Sequence, residues 1–198
     1  MFAIGHLSLG YLSFKICQKS LSIDVNLPLI FAVSLIPDVD LLVPALLHRG
    51  PTHSIIVLTI AFAPILLFYR IKGIPYYAAI VQHVLVGDFS TGSGVQMFWP
   101  LTSNWYGLGL QMKSLTLVLI EWATFILAIA VLAQTRDIHQ LLKPKRSNLL
   151  LAVPSGAIFL SSIVGMSPPA PVELLIPHLA FLTIFAFSML RYLASKTS

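Results

Sequence analysis

Between Ser34 and Ser54 the chain reads SLIPDVDLLVPALLHRGPTHS. The stretch sets two carboxylates (Asp38, Asp40), two imidazoles (His48, His53), a guanidinium (Arg49) and, at its C-terminal end, the hydroxyls of Thr52 and Ser54 in a chain that is otherwise largely hydrocarbon. An ionised group at bilayer depth costs about 2.5–3.5 kcal/mol on insertion scales, so several in one segment call for a shared partner that offsets the cost. A divalent cation is one. His6 upstream and His83 and Asp88 downstream extend the series to His6, Asp38, Asp40, His48, His53, His83 and Asp88. Imidazole mixed with carboxylate suits zinc, manganese or iron better than calcium, which prefers an all-oxygen shell; zinc is the first expectation. These candidates exceed what one tetrahedral ion with an open position needs. One or two ions are therefore expected, and a pair about 3.5–4 Å apart activates water and clamps the two oxygens of a phosphoester displacement.

Each residue also has a plainer reading. An isolated histidine in a helical bundle usually bonds a backbone carbonyl, and an aspartate at a helix break caps the next half-helix; clustering favours ligation. Asp38 and Asp40, two apart, point to different faces of a regular helix and converge only where the helix is broken. Arg49 is read as a substrate-anion binder, because guanidinium geometry fits phosphate in a bidentate manner; otherwise it is ordinary interfacial polarity. The carboxylate left free of ligation, Asp40 or Glu121, is expected to accept the proton of the attacking water. The plain alternative for Glu121 is a polar residue satisfied between helices. His178 is kept as a supporting residue near the site, His139 as a solvated loop residue, and Cys17 as an inert buried thiol.

The elements that must position these groups are helical and membrane-embedded. The 198 residues are 57% hydrophobic and 10% charged, with mean hydropathy +0.89, whereas soluble domains carry about 25% charged residues. The expected fold is an all-α polytopic transmembrane bundle, one domain over residues 1–198. Residues 1–125 form the site-bearing half and 126–198 the C-terminal transmembrane helices. With roughly 20 residues per crossing, about six crossings fit. Residues 1–14 read as a short tilted or re-entrant segment with His6 near its outer end, and they lack the basic residues of a cleavable signal. Asn26 and Pro28 announce a helix from about Leu27, broken at Pro37 and Pro44. Gly50-Pro51 is a turn, after which Thr52 or Ser54 caps a helix to Tyr69. A third helix runs from about Pro75 into His83 and Asp88. Further helices are expected at Ser114–Ala133, 148–166 and 174–194, the last two joined by SPPAPVE.

The formal charge of +5 is spread between apolar runs and fits topology, not nucleic acid. Ten of the twelve Lys and Arg residues fall on one side of this threading, and Arg49 and Lys113 on the other. The positive-inside rule makes the richer side cytoplasmic. The metal site then lies toward the extracytoplasmic face of the cell membrane. Phe98, Trp99, Trp105 and Tyr106 read as an interfacial aromatic belt in preference to the lining of a lipid groove.

Taken together, Gly5-His6, Pro37-Asp38 with Asp40, His48-Arg49-Gly50, Thr52-His53-Ser54, His83, Asp88 and Phe98-Trp99-Pro100 resemble the motif of the YdjM-like membrane-bound metal-dependent hydrolases, also described as LexA-binding inner-membrane-associated hydrolases. The resemblance covers roughly residues 1–125, and HRGPTHS is its most specific part. It implies an all-helical membrane fold and metal-dependent hydrolysis. The family in turn looks distantly similar to zinc-dependent phospholipases C and single-strand nucleases, which cleave phosphodiesters. One departure stands out: the family usually spaces its third-helix pair H-x3-D, whereas His83 and Asp88 are H-x4-D with Gly87 between them, so a local bulge is needed for convergence.

The expected function is hydrolysis of a phosphoester in a membrane lipid or lipid-linked substrate, with no nucleic-acid partner. Two other classes remain open. A metal transporter or channel needs polar groups at successive depths, and the cytoplasmic half offers few. A scaffold with a purely structural metal would leave only short cytoplasmic loops for docking.

Overall fold

The computed structural model describes residues 1–43, 45–164 and 169–196. Pro44, the second expected helix breaker, lies outside these residues, as do Ser167 and Pro168 of the SPPAPVE turn and the end of the 148–166 helix. Among the described residues the fold is all-helical, with eight α-helices and no strand.

Helix α1 (Ala3–Leu21) is the axis of the bundle and packs most extensively on α4 and α5. It corrects the short 1–14 segment expected from the lysines. The helix runs on through Lys15 because that ammonium reaches Asp137 at 2.7 Å and Gln18 at 2.7 Å, so its charge is paired at the far end of the bundle. His6 is fully buried in the first turns of α1, near the end at which the sequence places it.

Helix α2 (Leu27–Val33) starts as its signals predict: Asn26 Oδ1 accepts from the Leu29 N–H at 3.4 Å, and Pro28 sits in the first turn. It ends at Ser34, and the chain continues as a 3₁₀ segment, Ile36–Leu42, with Pro37 in its first turn. This is the expected broken helix. Gly10 lets α1 pass close to the break, since a Cβ there would lie 1.9 Å from Ser34 Oγ.

A single 3₁₀ turn, Pro51–His53, precedes α3 (Ile55–Tyr69), and the Ser54 hydroxyl caps α3 by accepting from Val57 N–H at 3.4 Å. A turn at Arg70–Gly73 leads to α4 (Ile74–Gln82) and a π-helical turn, His83–Asp88. Thr59 and Tyr77 hydroxyls lie 2.5 Å apart and the rings of Phe62 and Tyr77 are 5.6 Å apart. In one straight helix residues fifteen apart are about 22 Å apart, so α3 and α4 form an antiparallel hairpin. Its open end carries His53 and His83.

The loop from Phe89 to Ser114 folds back over that end: Ile55 N–H donates to Met97 carbonyl at 3.0 Å and Gln96 N–H to Arg49 carbonyl at 3.0 Å. Helices α5 (Leu115–Gln134), α6 (Asp137–Leu142), α7 (Ala152–Phe159) and α8 (Leu175–Ala194) complete the bundle. The helix expected at 148–166 is divided into a 3₁₀ segment, Arg146–Leu151, then α7, then a π turn, Leu160–Val164. Aromatic contacts tie α1, α2, α5 and α8 together, with ring separations of 5.9 Å for Tyr11–Phe31, 5.0 Å for Phe31–Phe185 and 5.6 Å for Phe125–Phe181.

Among the described residues three stretches, Ile55–Asp88, Leu115–Gln134 and Val172–Ala194, are long and apolar enough to cross a membrane. Large apolar side chains such as Phe68, 85% exposed, and Leu115, 73% exposed, cover the outside, a surface suited to lipid.

Candidate metal centre

Four ligand atoms converge where the broken helix, the Pro51–His53 turn and the π turn meet. Asp88 Oδ2 lies 3.0 Å from His53 Nε2 and 3.3 Å from His83 Nε2. Asp38 Oδ1 lies 3.5 Å from His53 Nε2 and 3.4 Å from His83 Nε2. A tetrahedral ion with bonds of about 2.0–2.1 Å separates its ligands by about 3.3–3.4 Å, so these four edges fit a small cation. Moreover, His53 Nε2, His83 Nε2 and Asp88 Oδ2 are buried without a hydrogen-bond partner. Buried polar atoms are normally satisfied, and three unsatisfied atoms facing one point together fit a bound cation. Asp38, His53, His83 and Asp88 thus form a group that could hold a metal.

The π turn explains the unusual spacing. One residue inserted into a helical turn gives positions i and i+5 the relation normally held by i and i+4, so His83 and Asp88 share a face. Gly87 is the residue that makes room, because a Cβ there would come 2.4 Å from His6 Cε1 and 2.6 Å from His6 Nδ1.

A surrounding set of bonds aims the ligands. His83 Nδ1 donates to the Ser34 carbonyl at 2.7 Å, which leaves Nε2 free to ligate. His53 Nδ1 faces Asp40 Oδ2 at 3.2 Å, the carboxylate–histidine arrangement that orients metal-binding imidazoles. Asp40 itself is fully engaged: Oδ1 meets His48 Nδ1 at 3.0 Å, and Oδ2 accepts from Thr52 Oγ1 at 2.7 Å and from Arg49 N–H at 3.2 Å. Burial raises the Asp40 carboxyl, but hydrogen bonds from His48, His53 and Thr52 outweigh it and hold the group well below its usual range. Burial likewise opposes a charge on His53, yet the facing carboxylates of Asp38, Asp40 and Asp88 lift it from 6.5 to about 11.

Arg49 adopts φ +64° and turns inward. Its Nη2 bonds Asp88 Oδ1 at 2.8 Å and Thr91 Oγ1 at 3.0 Å, and its Nη1 bonds the Thr91 carbonyl. This guanidinium holds the outer oxygen of Asp88 and so aims Oδ2 at the cluster, a different task from the substrate clamp expected of it.

The remaining predicted residues divide clearly. His6 stacks on His83 with ring centroids 3.5 Å apart and lies 3.7 Å from Asp88 Oδ1, outside the four-atom group. His48 joins Asp40 and His53 in a second, overlapping group, built from atoms already hydrogen-bonded to one another. Glu121 is not brought to the cluster. It is buried on α5, where Oε1 accepts from Phe2 N–H at 2.7 Å and satisfies the free N-terminus of α1. His178 bonds the carbonyl of Leu174, the residue that precedes its helix, at 2.7 Å, and no ion pair joins it to the cluster among the described residues. Thr91 and the Ser34 carbonyl had no role in the sequence reading; Thr91, three residues past Asp88 and on the same helical side, was the findable one.

An apolar cavity of about 460 Å³ opens beside the cluster, and Asp38, His48, Arg49 and Asp88 line one end of it. Asp38 is the accessible ligand, its side chain 23% exposed, while His53, His83 and Asp88 are at most 1% exposed.

A family model described as YdjM inner membrane protein matches residues 1–169. No curated protein and no solved structure matches the chain.

Proposed function

The chain belongs to the YdjM inner membrane protein family, and from that premise and the cluster's geometry we propose that it is a membrane-embedded metal-dependent hydrolase of phosphoesters. The observation that carries this reading is the convergence of three buried, unpartnered ligand atoms with a fourth, accessible carboxylate.

His53, His83 and Asp88 would hold the ion, zinc in the first instance, as a two-histidine, one-carboxylate set like those of catalytic zinc sites. A bound ion of this kind supplies Lewis acidity, polarising the phosphoryl group and lowering the pKa of a coordinated water toward about 7. Asp38 is the exchangeable member. It faces the cavity, so it meets the incoming water and accepts its proton, the role that the engaged Asp40 and the remote Glu121 leave open. Ser34 and Asp40 fix the tautomers of His83 and His53. Arg49 and Thr91 hold Asp88, and His6 seals the inner side by stacking on His83. For a diester the products are a phosphomonoester and an alcohol, one water being consumed. The basic ends of α1 and α3 lie away from the cluster, which supports an extracytoplasmic site.

The test is turnover of bis(p-nitrophenyl) phosphate by zinc-loaded protein in detergent. Asp38→Asn should keep the metal and lose most turnover. A wild type that binds metal and cleaves no phosphoester would instead favour a closed, structural ion.

A further inference from the structure

Helix α7 carries none of the residues to which the sequence assigns a site role, yet it forms one wall of the cavity beside the metal cluster. Val153, Gly156 and Leu160 face Ile36 and Leu42 of the 3₁₀ segment across that cavity, and its polar end is made by Asp38 and Arg49. The two walls are also open to the outside: Ile36 is 46% exposed, Leu42 65% and Val153 53%. These are exposed apolar surfaces, of the kind that lipid covers in a membrane protein. At about 460 Å³ its size is that of a small-molecule site, roughly 300–1,000 Å³. The space continues at Gly156, where a Cβ would meet nothing within 4 Å.

An apolar trough that ends at a cation-binding cluster is complementary to one kind of molecule, an amphipath with an anionic head. We infer that the cavity holds one hydrocarbon chain of a phosphate-headed lipid, that the chain lies between α7 and the Ile36–Leu42 segment, and that Gly156 sets how much chain fits. The inference rests on the hydrolase reading for the head group and names its substrate class. The chain's occupancy is independent of turnover.

The experiment uses full-length protein in phosphatidylcholine nanodiscs containing a phosphatidic acid with a photoactivatable diazirine on its acyl chain, with and without EDTA. Cross-links should map to residues 35–42 and 153–161 and weaken with EDTA, which removes the cation that the head group would meet. Gly156→Phe, whose ring grows into open space, should remove them while leaving metal content and cleavage of bis(p-nitrophenyl) phosphate unchanged. It should also raise KM for the long-chain lipid by about tenfold or more, as expected for loss of several methylene contacts; Gly156→Ala serves as the conservative control. Cross-links confined to the outer faces of α3, α5 and α8, or unaltered by Gly156→Phe, would overturn the inference. So would a change in oligomeric mass on Gly156→Phe without a change in labelling, which would give the trough to a second copy. Trough labelling in a protein that cleaves no phosphoester would sink the hydrolase reading and leave the chain site standing.

Discussion

At the scale of single residues, the site separates atoms that wait for a ligand from atoms already committed. The series His6, Asp38, Asp40, His48, His53, His83 and Asp88 was legible because charge in a hydrocarbon sequence is costly. What each member bonds to was not legible. Asp40 and Asp88 look alike in sequence, but Asp40 spends both oxygens on His48, Thr52, Arg49 and His53, whereas Asp88 Oδ2 has no hydrogen-bond partner. Asp40→Asn should therefore weaken metal binding on the order of 10–100-fold, the usual effect of losing an orienting partner, and Asp88→Asn should abolish it; isothermal titration with zinc separates the two. The pH dependence follows from His53. Its value is raised to about 11 in the folded state, so in metal-free protein its stabilising contribution is complete below about 6.5. It is lost as pH rises toward 11. Metal competes with that proton, so zinc affinity should rise with pH while the melting temperature of the metal-free protein falls between pH 7 and 10. A metal-free protein whose melting temperature climbs over that range would contradict the assignment.

At the scale of elements, the break after α2 and the π turn after α4 do the positioning. Pro37 announced the first; the second hid in one glycine. Gly87 reads as a spacing defect in sequence, and only the packing of His6 against it shows why no side chain is tolerated there. Gly87→Val should push His6 off His83 and cost about 1–3 kcal/mol, with loss of metal read by the same titration. Deleting Gly87 would restore H-x3-D in sequence. Glu121 marks the opposite failure. An acid inside an apolar helix invites a functional reading, yet its partner is the N-terminal turn of α1, 119 residues earlier. Glu121→Ala should leave Phe2 N–H unsatisfied and destabilise by about 1–3 kcal/mol, with metal content unchanged. Loss of metal in that variant at a temperature where it is folded would return Glu121 to the site. The length of α1 was misread for a similar reason: the partner of Lys15, Asp137, lies across the fold.

At the scale of the whole molecule, apolar side chains clothe the outside and the buried ionisable groups gather at one end. Composition alone made the all-helical membrane class legible; lateral order was not, because apolar residues that pack and apolar residues that meet lipid are the same types. The basic ends of α1 and α3 set the expected orientation. In a Cys17→Ser background, Leu101→Cys on the exposed loop beside the cluster should react with an impermeant maleimide in intact cells, and Lys145→Cys only after permeabilisation; the reverse pattern would invert the topology. The broken helix, the π turn and the cavity all meet at the cluster of Asp38, His53, His83 and Asp88. The most direct test is elemental analysis of detergent-purified wild type beside His53→Ala and Glu121→Ala. Near-stoichiometric zinc, manganese or iron is expected in wild type and Glu121→Ala, with its loss in His53→Ala; wild type free of metal after purification in zinc-supplemented buffer, or metal retained in full by His53→Ala, would contradict the metal centre.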